Sequence, residues 1–141
     1  MNVWDATQER LSTIFNQFDN VVVSFSGGKD SGVLLHLCLE YVRKHRPKAL
    51  LSVFHIDYEA QYQQTTDYVA EMHQHASDIA TIYHCCLPIS AQCATSMRQT
   101  HWIPWDPAQK DLWVRKRPDR PGVVTDDNHP FDFFRIGMWD Y

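Results

Sequence analysis

The sequence predicts an α/β fold, a three-layer arrangement in which helices cover both faces of a parallel sheet. Three observations predict it. Short runs rich in Val, Ile, Leu and Phe recur at residues 21–25, 50–56 and 79–87, as expected of buried strands. Longer stretches with helical spacing of apolar residues separate them, and alternation of strands and helices at this length means βαβ units with right-handed crossovers. A glycine turn, Ser26-Gly27-Gly28, joins the first run to the following helix.

Taken in order, residues 3–18 read as an amphipathic helix, with Trp4, Leu11, Ile14, Phe15 and Phe18 on one side and Gln8, Glu9, Arg10 and Gln17 elsewhere. Asp19-Asn20 signals a turn before the first strand. The helix after the glycine turn runs to about Lys44, ahead of Pro47, with a wide apolar face from Val33 to Val42. The cluster Arg43, Lys44, His45, Arg46 and Lys48 suits a solvated helix C-terminus. The second strand ends in His55-Ile56-Asp57. A helix over 62–76 follows, with Tyr62, Thr66, Val69, Met72 and Ala76 on one face and His73 and His75 read as surface residues. The third strand spans about Ile79 to Leu87. Beyond Ile89 the pattern weakens. Residues 93–100 are expected to begin a helix, 102–107 form an aromatic turn, 111–117 a short strand or helix, and 118–130 a loop.

At 141 residues the expectation is one domain over 1–141, a βαβ core at 1–88 and a less regular remainder at 89–141. A net charge of −4 argues against a general nucleic-acid surface. No run reaches the roughly 20 apolar residues of a membrane span, and the N-terminus has no signal-peptide pattern. Cys38, Cys85, Cys86 and Cys93 lack a disulfide-framework spacing, which fits a reducing cytoplasm. The aromatic stretch FDFFRIGMWDY at the end suggests a piece of a longer protein.

The glycine turn carries the chemistry. Backbone N–H groups converge where a strand, a glycine turn and a helix N-terminus meet, and the helix dipole adds positive potential, which together suit phosphate. The stretch is not a Walker A loop, since Val23 stands where its first glycine would be and Asp30 follows Lys29. The dinucleotide pattern also fails, because Gly27 and Gly28 are adjacent. In ligand-binding α/β sheets, sites lie beyond the carboxyl ends of strands. The loop and residues 55–59 both fall at such ends and are expected to face one pocket.

The six residues SGGKDS (26–31) match S-G-G-x-D-S, with Ser26, Gly27, Gly28, Asp30 and Ser31 at its fixed positions. They resemble the PP-loop of the N-type ATP pyrophosphatases. The segment HIDYEAQYQQTT (55–66) resembles the H-x-D-T-G-x-x-F-P-E-T segment of phosphoadenosine phosphosulfate (PAPS) reductases. His55 and Asp57 match, Tyr62 takes the aromatic place, and Thr65 or Thr66 the last threonine. Tyr58-Glu59 replaces Thr-Gly, and Gln63-Gln64 replaces Pro-Glu. With CATSM (93–97), WIPWDP (102–107), DLWVR (111–115) and FDFF (131–134), most of the chain is similar to mobile-element PAPS reductase-like coactivators of the immunoglobulin-binding-regulator A type, whose members are usually longer.

The resemblance implies a Rossmann-like fold of the adenine nucleotide alpha-hydrolase type and an adenine nucleotide, ATP or PAPS with Mg²⁺, held by Ser26, Gly27, Gly28, Lys29, Asp30 and Ser31. Phe54, His55 and Asp57 would cradle adenine and ribose. Lys29 and Asp30 would be catalytic, Lys29 neutralising phosphate and Asp30 holding Mg²⁺; the alternative for Asp30 is a helix cap. Arg98 and Arg115 are candidates for a sulfate, a 3′-phosphate or a second substrate. The implied activity is ATP pyrophosphatase or adenylation chemistry at the α-phosphate. Two alternatives stand beside it: a non-catalytic nucleotide-binding coactivator acting with a protein partner, and a sulfonucleotide reductase lacking its C-terminal cysteine motif, since the last cysteine here is Cys93. Cys85-Cys86 without a later C-x-x-C leads us to expect no iron–sulfur cluster. No direct contact with nucleic acid or membrane is expected, and a homo-oligomer is left open.

Overall fold

Asn2 opens the first helix with a capping box: its side chain accepts the Asp5 N–H at 2.9 Å, and the Asp5 carboxylate reaches back to the Asn2 N–H. Such reciprocal pairing satisfies two donors that the helix leaves orphaned. A computed structural model describes residues 1–139. Its elements are α1 (Val3–Gln17), β1 (Asn20–Ser24), α2 (Lys29–His45), β2 (Leu50–Ile56), α3 (Gln63–Ala76), β3 (Ala80–Cys85), β4 (Ala91–Gln92), β5 (His101–Trp102), a 3-10 helix (Pro107–Leu112) and β6 (Val123–Val124). The chain forms an α/β, Rossmann-like fold: a four-stranded parallel sheet in the order β1-β2-β3-β6, flanked by helices. β4 and β5 pair antiparallel as a separate ribbon. No helix among the described residues is long and apolar enough to cross a membrane.

The contacts divide the chain into two compact units: Met1–His55 with Gln63–Tyr83, and Ile56–Tyr62 with the described residues from His84 on. In the first, β1 and β2 run parallel with Val22 opposite Ser52. Val23, Phe25, Leu51 and Val53 form one cluster with Leu11 and Phe15 of α1, Leu35, Cys38 and Leu39 of α2, and Val69, Met72 and Ala76 of α3. Phe15 stacks on Tyr41 with ring centroids 5.2 Å apart. Asn20, Val22 and Ser24, the alternate positions of β1, are exposed. The bonds from Leu50 N–H to Asp19 O and from Phe25 N–H to Phe54 O show that the odd-numbered backbone groups of β1 face β2. Those of Asn20 and Val22 therefore point to the outer edge.

Several local expectations change. In α1 only Leu11 and Phe15 are buried, whereas Trp4, Ile14 and Phe18 are exposed. In α2, Val33 and Leu34 are exposed, so its apolar face is narrower than its composition suggests. His73 is buried rather than on the surface, because it shares the inner face of α3 with Val69, Met72 and Ala76. It meets Phe25 and His55 at centroid distances of 6.1 and 5.9 Å. Tyr62 precedes α3 and is exposed. Residues 93–100 form turns, not a helix. The 111–117 segment only finishes a 3-10 helix. The expected 118–130 loop contains β6, paired with β3 at His84–Val123 and Cys85–Val124.

In the second unit, the pairing of β3 with β6 is extended by bonds from His84 N–H to Gly122 O and from Cys86 N–H to Val124 O. Cys85 and Cys86 are buried there. Burial pushes the Cys85 thiol up to about 12 and raises that of Cys86 further still. Both therefore act as small apolar side chains.

Candidate functional site

The glycine loop of the first unit is built from its own hydroxyls. Gly27 turns the chain at φ +86°, a conformation open to glycine. It also lies where a Cβ would come within 2.8 Å of Thr65 Cγ2 and 2.9 Å of Val69 Cγ2. The Ser26 and Ser31 hydroxyls are 2.9 Å apart. Ser31 Oγ accepts the Ser26 N–H and donates to Gly28 O, while Ser26 Oγ accepts the Gly28 N–H. This lattice fixes the turn from both ends.

Gly28 is the N-cap of α2, and no side chain caps it. The first-turn N–H groups of Lys29, Asp30 and Ser31 have no acceptor within their own helix. Asp30 is therefore not the cap. It lies in the first turn, nearly fully exposed, with its carboxylate 2.9 Å from Lys29 Nζ. Exposure makes this pair weak and easily exchanged for a stronger anion or a cation. His55 lies at the end of β2, 1% exposed, with Nδ1 2.7 Å from Phe25 O. Phe54 is half-buried.

In the second unit Asp57 organises a buried polar network. Its Oδ1 accepts from the Glu59 N–H at 2.8 Å and from Arg115, and its Oδ2 accepts from His84 Nε2 at 2.8 Å. Arg120 donates to His84 Nδ1 at 2.9 Å. A guanidinium only donates, so Nδ1 must accept, and the imidazole is neutral with its proton on Nε2. Burial alone would raise the Asp57 carboxyl. The hydrogen bonds from His84, Arg115 and the Glu59 N–H, together with the Arg115 charge, outweigh it and hold the carboxyl well below the usual carboxylate range.

Glu59 stands where the resembled segment has glycine, and its backbone has the φ of +67° that explains the glycine. The glutamate side chain takes over a binding role. It is buried, and it accepts the Trp105 N–H at 2.7 Å and the Val114 N–H at 3.0 Å. Trp105 Nε1 donates to Asp57 O, and Arg115 Nε donates to Glu59 O. The guanidinium of Arg115 lies 4.9 Å from the Trp105 ring centroid.

Of the expected substrate residues, Arg115 belongs to this network and lines a cavity of about 690 Å³ with Trp113, Arg117 and Arg120. Arg98 does not; it is exposed in the 93–100 turns, where its N–H donates to Ser96 Oγ. The sequence reading missed His84 and Arg120 as partners of Asp57. A histidine inside an apolar strand is a usable signal, because a buried polar group demands a partner. Nothing local marks Arg120.

The family model described as the phosphoadenosine phosphosulfate reductase domain matches residues 20–102. The chain is also similar to the uncharacterized protein YbdN of Escherichia coli (strain K12), 37% identical over 139 residues that cover 98% of this chain and 32% of YbdN. It thus spans about a third of the length of that relative. No solved structure matches the chain.

Proposed function

The chain belongs to the phosphoadenosine phosphosulfate reductase domain family, and on that premise we propose that it binds an adenine nucleotide through Ser26–Ser31 and directs attack on the α-phosphate. The observation that carries this reading is the α2 N-terminus, uncapped by any side chain and framed by the Ser26 and Ser31 hydroxyls and the exposed Lys29. Converging amides and a helix dipole there suit a phosphate chain.

In this reading an acceptor forms a bond to the α-phosphorus while the bond to the bridging oxygen breaks, and pyrophosphate leaves with that electron pair. The loop amides and hydroxyls orient the phosphates, and Lys29 neutralises their charge. Positioning and charge stabilisation, not a protein nucleophile, lower the barrier. Asp30 fits a nucleotide-borne Mg²⁺, because one exposed carboxylate beside phosphate oxygens is a usual set for that ion; the ion would screen phosphate charge. His55 shapes the end of β2 beside Phe25. The similarity of residues 93–97, 102–107 and 111–115 to mobile-element coactivators supports a protein partner as part of this reading.

Calorimetric titration with ATP and with PAPS, each with Mg²⁺, tests it beside a Ser26→Ala/Lys29→Ala double variant. Loss of one ATP site in the variant, with pyrophosphate release by the unaltered chain in the presence of a suitable acceptor, is the expected result. Preference for PAPS redirects the reading to sulfonucleotide chemistry, and binding indifferent to the double variant overturns it.

A further inference from the structure

We propose that the cavity of the second unit is a binding site for a small linear polyanion, two or more linked phosphate or sulfate groups, recognised independently of the glycine loop. All its lining residues lie between Lys110 and Asn128, within the second unit. They also lie outside the residues 20–102 that match the family, so the reading of the loop does not account for them.

Charge is the first argument. The chain has a net charge of −4 and only 13 lysines and arginines, yet Lys110, Arg115, Lys116, Arg117 and Arg120 all line this cavity, with Asp119 as its one carboxylate. Arg115 is paired with Asp57, and Arg117 with Asp126 at 3.0 Å. Lys110, Lys116 and Arg120 form no ion pair among the described residues. Three uncompensated cations therefore face one carboxylate. Like charges gathered in one concavity repel each other and focus a positive potential on whatever enters.

Placement is the second. Arg115 is held by the Asp57 carboxylate and the Glu59 carbonyl, and Arg120 is docked on His84. Both guanidinium groups are thus fixed before any ligand arrives, which lowers the ordering cost of binding. Arginine forks of this kind suit phosphate and sulfate oxygens.

The third argument selects a polyanion chain over a base. The aromatic residue on the wall, Trp113, has the Arg117 guanidinium over its ring at 5.2 Å and meets Trp105 edge-on at 5.2 Å. Its surface is committed within the protein, so the cavity reads charge. Its volume of about 690 Å³ has room for several linked phosphates.

Tripolyphosphate is the probe, titrated calorimetrically into the full chain carrying Ser26→Ala/Lys29→Ala, so that the glycine loop cannot supply the signal. Binding should persist there and weaken by about tenfold or more on adding Lys110→Glu/Lys116→Glu, given two reversed charges at the site. The thermal midpoint should not fall, because both lysines are exposed and their side chains form no ion pair among the described residues. Binding that vanishes with the loop variant alone, or that ignores the lysine reversals, overturns the proposal. A single-stranded oligonucleotide run in parallel separates a nucleic-acid backbone from a small ion. Lysine-dependent binding of the oligonucleotide without binding of tripolyphosphate also overturns it.

Discussion

His84 Nε2 and Asp57 Oδ2 lie 2.8 Å apart, with both side chains almost fully buried. The pair links the end of β3 to the residue that follows β2, and Arg115 and Arg120 complete it from the later chain. Its energetics follow from the carboxylate being ionised and satisfied.

Asp57→Asn should destabilise the protein by about 3 kcal/mol or more at neutral pH, the usual consequence of removing one partner from a buried pair. The amide also turns an N–H₂ toward groups that themselves donate: His84 Nε2, Arg115 or the Glu59 N–H. The wild-type pH dependence follows from the lowered folded-state value of Asp57. The unfolded carboxyl takes its proton near pH 4, before the folded one does. The stabilisation is therefore complete above that range and is lost as pH falls toward the folded value. Urea unfolding at pH 6 and pH 3.5 should show a smaller acid loss in the variant; equal losses would show that Asp57 is not the linked group.

Glu59→Gly tests whether the side chain or the turn matters more. Glycine relieves the positive φ, a gain of about 1–2 kcal/mol. It deletes two hydrogen bonds to a carboxylate, each contributing about 1.5–3 kcal/mol, and leaves the buried Trp105 N–H without its acceptor. A net loss of roughly 2–4 kcal/mol is expected by chemical denaturation, with Glu59→Gln less damaging. A neutral or stabilising Glu59→Gly would show that backbone strain dominates.

Gly32 and Tyr68 make a double-mutant cycle inside the first unit. A Cβ on Gly32 would fall 2.6 Å from the Tyr68 hydroxyl but 3.5 Å from the ring carbon that bears it. Gly32→Ala alone should cost about 1–2 kcal/mol through overpacking. In a Tyr68→Phe background the same change should be neutral or stabilising by up to about 1 kcal/mol, since alanine is the better helix former. Additive effects in thermal unfolding would mean that the hydroxyl is not the obstacle.

The elements around the loop were legible because local signals agreed. The Val21–Phe25 run, the glycine turn and the helix spacing after it all point to one strand–turn–helix unit, and β1, β2, α3 and β3 fall within a residue or two of expectation, while α2 begins at Lys29, inside the stretch 26–31 expected as loop. β6 was not legible: Val123-Val124 is a two-residue strand among prolines and aspartates, and only its pairing with His84 and Cys85 defines it. The Asp57 network was hidden for a different reason. Its members are distant in sequence, and a hydrogen bond between Glu59 and Trp105 or Val114 leaves no trace in periodicity. His73 misled because two histidines so close together look like surface residues, while helix geometry places just one of them inward.

The outer edge of β1 has a practical consequence. Natural sheets shield such an edge with lysines, prolines, bulges or a covering element, but Asn20-Val21-Val22-Val23-Ser24 has neither charge nor proline, and β1 ends the order of the described strands. The segment also reads nearly the same in both directions about Val22, so two copies brought together antiparallel would match valine to valine and polar end to polar end. The bare strand is thus its own template, and concentrated preparations of this chain face a self-association hazard that a single gatekeeper, Asn20→Lys, would blunt.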